Sequence, residues 1–316
     1  MGDIPFSEEL TMRTIAFFSQ KGGVGKTTAC VNIGAALASM GRRVLVIDLD
    51  SNACASQYMG VVVEFDESAG AALLGARPLR AVCRPVIPGL WLVPGSTRLL
   101  SLDRMTSIAD PGRVNAAGRL SERALALELA QVDRPAFDYV LLDCPGGQPF
   151  LEKLALLAAD EVIVPTGLSR MDLYATAPTL DLVQKTQMVR GDGRPSMLGI
   201  LPSGAGTRGV PAKLQAMLEA YDLPCFTPVR ASAWLRTITG APQVERRFIT
   251  LARPDHPAAK SYREIAREIE LGIEKARQPS APPAVAVASE LAEIPATGGL
   301  DSQLAPGTVE AVPGAS

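Results

Sequence analysis

The chain has 316 residues, of which 47% are hydrophobic, and its formal net charge is −2 with a pI near 5.7. This hydrophobic content is sufficient for a large buried core, so we expect a globular protein of one large domain or two. The balanced charge argues against a protein that coats nucleic acid over its whole surface, and any contact with DNA would have to come from a local basic patch.

The cysteine pattern indicates neither a disulfide framework nor a metal site. The five cysteines form no CxxC pair and have no metal-like spacing to the single histidine, His256, which favours reduced, buried thiols. The chain has no apolar run long enough to span a bilayer and no signal-peptide pattern near its start. We therefore expect a cytoplasmic protein with no membrane partner, and we interpret residues 1–12 as a short N-terminal extension.

A glycine-rich stretch, residues 20–28 with the sequence QKGGVGKTT, lies between an apolar run predicted to be a strand (14–18) and a predicted helix (29–40). A turn of this kind directs backbone N–H groups and the positive end of the helix dipole at one point, which suits a phosphate chain. Lys26 can reach the β- and γ-phosphates, and the Thr27 hydroxyl is placed to hold Mg²⁺. The predicted phosphate-binding residues are Lys21, Gly22, Gly23, Val24, Gly25, Lys26, Thr27 and Thr28.

Two further apolar runs end in aspartates. Residues 44–47 lead to Asp48 and Asp50, and residues 139–142 lead to Asp143, as in a Walker B element. Open α/β sheets bind ligands at the carboxyl ends of their strands, so these carboxylates are expected beside the glycine-rich stretch. We predict that Asp50 orients the attacking water, and that Asp48 and Asp143 hold Mg²⁺ through water.

The remaining pattern alternates strands and helices, which predicts an α/β fold with a mostly parallel sheet covered by helices on both faces. Residues 61–90 are weakly patterned and are predicted to form short helices and loops. The further predicted strands are 90–93, 161–165 and 197–202, and the further predicted helices are 116–132, 172–189 and 211–221.

The last third of the chain contains a local excess of basic residues. Arg230, Arg236, Arg246 and Arg247 are predicted in loops or short helices, where they could meet DNA phosphates without reading sequence. A solvated basic surface is the alternative, because neither interleaved aromatics nor a DNA-reading motif accompanies them. An amphipathic helix from Lys260 is predicted to dock on the core rather than on a membrane.

The C-terminal segment, residues 278–316, contains no Lys or Arg and is rich in Pro and Ala. Such a composition cannot bury enough apolar surface to fold alone, so we predict a disordered acidic tail.

The early lysine distinguishes the glycine-rich stretch from the usual P-loop, which has glycine at the position of Gln20 and needs no lysine at position 21. With Lys21, the sequence KGGVGKTT resembles the deviant Walker A box of the ParA/MinD superfamily of dimeric ATPases. The resemblance covers about residues 13–277 and implies a P-loop NTPase domain that binds ATP and Mg²⁺. It also implies a homodimer in which Lys21 crosses the interface to the partner's nucleotide.

The resemblance further implies how the ATPase is used. Lys21, Lys26 and Asp50 would be catalytic in slow hydrolysis stimulated by a ParB-like or cargo-adaptor protein. The ATP state would bind non-specific DNA, so the protein would be nucleoid-associated and would segregate a plasmid or chromosome partition complex or position a protein cluster. One departure is that similar proteins usually continue Asp-Pro-Gln, whereas this chain has Ser51 and Asn52 after Asp50.

Three alternatives remain open at this point. The first is a MinD-like ATPase that cycles on membranes, which the acidic tail disfavours. The second is an iron–sulfur carrier, which needs paired bridging cysteines and for which Cys144 has no obvious mate. The third is a nucleotide-dependent scaffold that does not hydrolyse ATP, if the departure at Ser51 and Asn52 disables water positioning.

Overall fold

The structure is a computed structural model that describes residues 12–104, 109–132, 136–206, 211–220, 223–236 and 243–271. The predicted N-terminal extension, apart from Met12, and the predicted tail therefore lie outside the described residues.

Eight strands form one sheet in the order β3-β4-β2-β5-β1-β6-β7-β8, and every neighbouring pair is parallel except β3 with β4. The predicted mostly parallel sheet is confirmed. The strands are β1 Arg13–Phe17, β2 Val44–Asp48, β3 Arg84–Ile87, β4 Leu90–Val93, β5 Tyr139–Asp143, β6 Glu161–Thr166, β7 Ser196–Ala205 and β8 Val229–Arg230.

Helices cover both faces of this sheet, as the alternation of elements predicted. Ile15 and Phe17 of β1 face an apolar layer shared with α1, α9 and α10, whereas Ala16 faces the layer shared with α5, α6 and α7. Successive residues of a strand point to opposite faces, so a strand buried on both sides reads as a continuous apolar run. The helices are α1 Lys26–Ser39, α2 Cys54–Met59, α3 Ala69–Leu73, α4 Leu79–Val82, α5 Ala124–Ala130, α6 Pro149–Ala158, α7 Arg170–Arg190, α8 Ala212–Ala220, α9 Ile249–Ala252 and α10 Pro257–Leu271.

Two element predictions were wrong, and one helix was missed. The helix predicted over 116–132 begins only at Ala124, because the Asn115 carboxamide accepts hydrogen bonds from the backbone N–H groups of Ala117 and Arg119 and closes a turn there. The weakly patterned segment 61–90 contains the antiparallel strand β3 in addition to short helices. Strand propensity does not reveal β3, because the strand is short and contains a proline. Helix α6 was not predicted at all.

The basic segment also differs from its prediction at one residue. Arg230 ends strand β8 and pairs in register with Ala205, so it does not lie in a loop or short helix. The reason is that β7 continues beyond the predicted end at residue 202 and offers an edge on which β8 pairs. Arg246 and Arg247 do lie in a short 3₁₀ turn, and Arg236 ends another, although its side chain is outside the described part.

Helix α10 begins at Pro257, earlier than predicted, and its apolar residues Tyr262, Ile265 and Ile269 are buried in the same layer as α1. The predicted docking on the core is therefore confirmed. Within the described ranges, no helix combines the length and the apolar character that crossing a bilayer requires.

Candidate nucleotide site

The glycine-rich stretch forms the turn between β1 and the start of α1. Gly23 and Gly25 adopt φ values of 76° and 90°, a left-handed conformation that side chains with a Cβ rarely take. Gly25 is also the N-cap of α1 and makes no side-chain capping hydrogen bond. The N–H groups at the start of α1 therefore point toward the turn without a capping side chain, as a phosphate site requires.

Lys26 lies inside this turn rather than in solvent. Its side chain is buried, and Nζ donates hydrogen bonds to the carbonyl oxygens of Ser19 at 2.9 Å and Lys21 at 3.0 Å. These two contacts use two of the three ammonium protons. The charge of Lys26 is thus held at the centre of the turn, where phosphate oxygens would approach.

Asp48 and Asp143 end the adjacent strands β2 and β5 in register, and both carboxylates are fully buried. The Asp48 carboxylate is already hydrogen-bonded. Its Oδ1 accepts from the N–H of Asp50 at 3.1 Å, and its Oδ2 accepts from the N–H of Ser56 at 2.8 Å and the Ser56 hydroxyl at 2.6 Å. Burial raises the pKa of Asp48 to about 6 in spite of the bonds from Ser56. Asp48 therefore holds the backbone of the Asp50 loop in place.

Asp143 differs from Asp48 because neither of its carboxylate oxygens has a hydrogen-bond partner among the described residues. Burial and the charge of Asp48 raise the pKa of Asp143 well above its usual value, while the nearby Thr27 hydroxyl opposes this shift. A buried acceptor without a partner is unfavourable, so this carboxylate fits a site that takes a cation or ordered water.

The described residues contain no group of three or more His, Cys, Asp or Glu side chains arranged to hold a metal ion. Mg²⁺ in phosphate sites needs no such cage, because it takes one or two protein groups and completes its shell with phosphate and water. The Thr27 hydroxyl and the partnerless Asp143 fit that requirement.

Asp50 lies in the loop that follows β2 and is partly exposed. Its Oδ1 accepts from the Asn52 N–H at 2.9 Å and from the Asn52 side-chain amide at 3.0 Å. The loop continues into α2 through Ala53, which has a φ of 50°. The Ser51-Asn52 pair thus builds an ordered turn around Asp50.

Lys21 contacts a residue that sequence reasoning missed. Its Nζ forms an ion pair with Asp172, which also closes a capping box with Ser169 at the start of α7. Partial burial raises the pKa of Asp172, but the ion pair and the hydrogen bonds from Ser169 outweigh burial, so the pKa is lowered overall. The capping pattern Ser-x-x-Asp is readable in the sequence, whereas the contact with Lys21, 151 residues away, is not.

Two other predicted features have clear places. Cys144 is fully buried beside Asp143, and burial raises the pKa of its thiol, which agrees with a packed small residue. Cys54 and Cys225 are exposed, so the prediction of buried thiols was wrong for these two. Arg247 donates to the carbonyl oxygens of Gln57 at 3.2 Å and Tyr58 at 3.4 Å in α2, and Arg230 donates to that of Gly206. Arg246 is exposed beside Arg247. Arg230 and Arg247 thus contact different elements, the residue after β7 and helix α2.

The chain is similar in sequence and in structure to proteins that bind or hydrolyse nucleotides. The AAA domain family matches residues 12–197. The chromosome-partitioning ATPase Soj of Thermus thermophilus is 32% identical over 84% of this chain and 98% of its own length. The septum site-determining protein MinD of Pyrococcus horikoshii, solved with Mg-ADP, superposes with a TM-score of 0.64 at 25% identity over 85% of this chain and all of its own.

A further solved protein with this fold is named for a different activity. Cobyrinic acid a,c-diamide synthase of Mycobacterium smegmatis, solved with ADP and magnesium, has a TM-score of 0.67 at 28% identity over 86% of this chain and all of its own. The fold alone therefore does not choose the function. The family match over more than half of the chain and the nearly full-length similarity to Soj do show the family. The chain belongs to the ParA/MinD superfamily of P-loop ATPases, whose members include partitioning and positioning ATPases.

Proposed function

We propose that this protein is an ATP-dependent dimerising ATPase that binds DNA non-specifically in its ATP state and segregates or positions a cargo. One observation carries the ATPase part: the uncapped start of α1, the buried Lys26 and the partnerless carboxylate of Asp143 converge at one edge of the sheet. Each of these groups lacks part of its hydrogen-bond or ionic partners among the described residues, and a nucleotide with Mg²⁺ would supply them.

ATP and Mg²⁺ are the proposed ligands. The backbone of residues 21–28 and the Lys26 ammonium would hold the phosphates, and Thr27 would hold the metal directly while Asp143 holds it through water. The ADP and magnesium in the solved MinD and diamide synthase relatives support this assignment. The proposed role of Asp48 as a second water-mediated metal residue is weaker, because its oxygens already accept hydrogen bonds.

Hydrolysis would proceed by positioning and charge stabilisation rather than by covalent catalysis. Asp50, held in its turn, orients the attacking water, and Lys26 together with Lys21 offsets the negative charge that develops on the transferred phosphoryl group. Turnover would be slow without a ParB-like or cargo-adaptor partner.

Dimerisation would require Lys21 to leave Asp172 and reach the nucleotide of a second copy. The Lys21 side chain retains 34% of its exposure, so solvent partly screens this ion pair. The chain can therefore hold Lys21 in place before dimerisation without a large barrier to its release.

DNA binding is proposed for Arg230, Arg236, Arg246 and Arg247, which would contact phosphates of non-specific DNA. The contacts of Arg247 with α2 place the 3₁₀ turn Val244–Arg247 against the segment that follows Asp50. Fully buried Asn32 of α1 adds a second link, because it donates to the Tyr58 hydroxyl of α2 and accepts from the Ile249 N–H of α9. These links support a coupling between the nucleotide state and the basic segment. Because the ATP state is proposed to bind DNA, we infer a cytoplasmic, nucleoid-associated protein.

The test is binding of the purified protein to non-specific DNA with ADP, with ATP, and with ATP for the Lys21→Ala variant, at stated salt and with light scattering to follow dimers. We expect ATP-dependent dimers that bind DNA and that are lost in Lys21→Ala. ATP-dependent dimers without DNA binding would remove the DNA part, and anionic liposomes would then test the MinD-like alternative. If the wild type turned over ATP no faster than Lys26→Ala and Asp50→Ala, the protein would be a scaffold that does not hydrolyse ATP.

A further inference from the structure

The side-chain amide of Gln148 bridges the two loops that flank the proposed phosphate position. Its Nε2 lies 2.9 Å from the hydroxyl oxygen of Ser51, the residue directly after Asp50. Gln148 itself follows Asp143 in the loop between β5 and α6. The contact thus connects the predicted water-orienting loop with the predicted magnesium loop.

The other heteroatom of this amide is buried and has no hydrogen-bond partner among the described residues. This statement does not depend on how the amide is turned, because a serine hydroxyl both donates and accepts and can pair with either end. Within the described part of the chain, four buried side-chain atoms lack a partner: two oxygens of Asp143, one of Gln148 and one of Thr250. Three of the four therefore belong to the loop that begins at Asp143.

The backbone of this loop is held by two hydrogen bonds and by close packing against the glycine-rich turn. Gly146 packs against the turn, since a Cβ there would lie 3.1 Å from the Lys26 Nζ. The N–H groups of Gly147 and Gln148 both donate to one carboxylate oxygen of the buried Glu152, at 2.7 and 3.0 Å. These contacts hold the backbone from which the Gln148 side chain extends. The hydrogen bond with Ser51 fixes the amide at the end of that side chain before any ligand binds.

We infer that Gln148, anchored by Ser51, is a positioning residue for the attacking water and acts beside Asp50. The inference rests on the proposed hydrolysis of ATP. An amide suits this task because one end can stay bonded to Ser51 while the other accepts a hydrogen bond from water, without taking a proton. In the step itself the water oxygen forms a bond to the γ-phosphorus while the bond to the bridging oxygen of ADP breaks. The electron pair of that bond leaves with ADP, and the proton of the water passes to the phosphate product.

This arrangement also gives a role to Ser51. A residue without a hydroxyl at position 51 could not hold the Gln148 amide in this way. Ser51 supplies that hydroxyl and is itself almost fully buried. Ser51 therefore supports water positioning in this chain through Gln148.

The test compares Gln148→Met, which keeps the length of the side chain and removes both hydrogen-bonding ends, with Ser51→Ala and with the double variant. ATP binding is measured with a fluorescent ATP analogue, and single-turnover hydrolysis gives the rate of the chemical step. We expect Gln148→Met to lower the hydrolysis rate on the order of 10- to 100-fold, comparable to loss of one transition-state hydrogen bond, with ATP affinity changed less than about twofold. Ser51→Ala should lower the rate by a smaller factor and should add nothing in the Gln148→Met background.

The matched control is Gln215→Met on the exposed face of α8, which should hydrolyse and bind ATP like the wild type. An unchanged rate in Gln148→Met with intact binding would overturn the inference while leaving the ATPase proposal standing. A parallel loss of ATP affinity and of thermal stability would also overturn it, since that result describes a merely structural residue. A wild type whose ATP binding and turnover equal those of Lys26→Ala would overturn the proposed function and this inference together.

Discussion

The two ends of the central strands differ in how their charged side chains are paired. At the amino end, Arg13 at the start of β1 forms two hydrogen bonds of 2.8 Å with Glu161, and Arg43 pairs with Asp138 before β5. At the carboxyl end of β5, Asp143 is fully buried and has no hydrogen-bond partner in the described part of the chain. Asp48, the neighbour of Asp143 at this end, is hydrogen-bonded, so the contrast with the amino end rests on Asp143.

The difference indicates a division between stability and function. Paired charges at the amino end close the sheet and stabilise the fold, whereas an unpaired carboxylate is tolerated only where a ligand or the chemistry needs it. Substitutions at the carboxyl end should therefore alter ligand binding more than stability, and substitutions at the amino end should do the reverse.

The largest expected effect comes from Asp143→Asn at the carboxyl end. Replacing this carboxyl group with an amide should raise the free energy of unfolding without nucleotide by about 1–2 kcal/mol, because the amide avoids the cost of burying an ionisable group whose pKa burial has raised. The extra stability that magnesium and ATP give the wild type should disappear, and hydrolysis should fall by about 100-fold or more.

Urea unfolding with and without magnesium and ATP measures both changes in this variant. Asp181→Asn, which removes an exposed i,i+4 partner of Lys185, is the control and should change stability by less than about 0.5 kcal/mol. A loss of stability in nucleotide-free Asp143→Asn would contradict the division between the two ends.

A smaller effect, of opposite kind, is expected from Arg13→Met at the amino end. It leaves Glu161 as a nearly buried charge without its guanidinium, so the free energy of unfolding should fall by about 2–3 kcal/mol. The hydrolysis rate below the unfolding transition should stay within about twofold of the wild type, because Arg13 lies at the far end of β1. Adding Glu161→Gln should restore part of the stability, and a failure of that rescue would mean that Arg13 acts through its other contact, with the Ile269 carbonyl oxygen.

The smallest effect concerns pH and the pair of Asp138 with Arg43. Hydrogen bonds from the Arg43 side chain lower the pKa of Asp138 below its usual value of 3.8. A lowered pKa stabilises the fold at every pH above the usual value, and this stabilisation is lost as pH falls through the pKa of the folded protein. Because Arg43 retains 42% exposure, Asp138→Asn should reduce the free energy of unfolding at pH 7 by only about 0.5–1 kcal/mol.

Unfolding by urea between pH 3 and pH 7 checks this expectation. The wild type and Asp138→Asn should differ at pH 7, and the difference should shrink as pH falls from about 4 through the lowered pKa of Asp138. A difference that persists unchanged at pH 3 would show that the pair acts by packing rather than by charge.

Local sequence alone determined the centre of the molecule. The strand before the glycines, the helix after them, and the aspartates at the ends of β2 and β5 follow from short apolar runs and from the residue types that end them. The helix begins at Lys26, three residues earlier than predicted. Parallel strands bring their carboxyl ends together, so the clustering of these groups follows once the strands are assigned. The family resemblance, which the comparisons confirm, rests on this same stretch.

Only the tertiary structure decided which of these groups are already engaged. The sequence assigns Asp48 and Asp143 the same role, yet the carboxylate of one is held by Ser56 and that of the other has no hydrogen-bond partner among the described residues. The pairing of Lys21 with Asp172 and of Ser51 with Gln148 joins residues 151 and 97 positions apart, which no local pattern encodes. The placement of β8 depends likewise on an edge that β7 provides. Periodicity and capping act within one or two helical turns, whereas hydrogen-bond satisfaction in a buried site depends on which distant segments the sheet brings into contact.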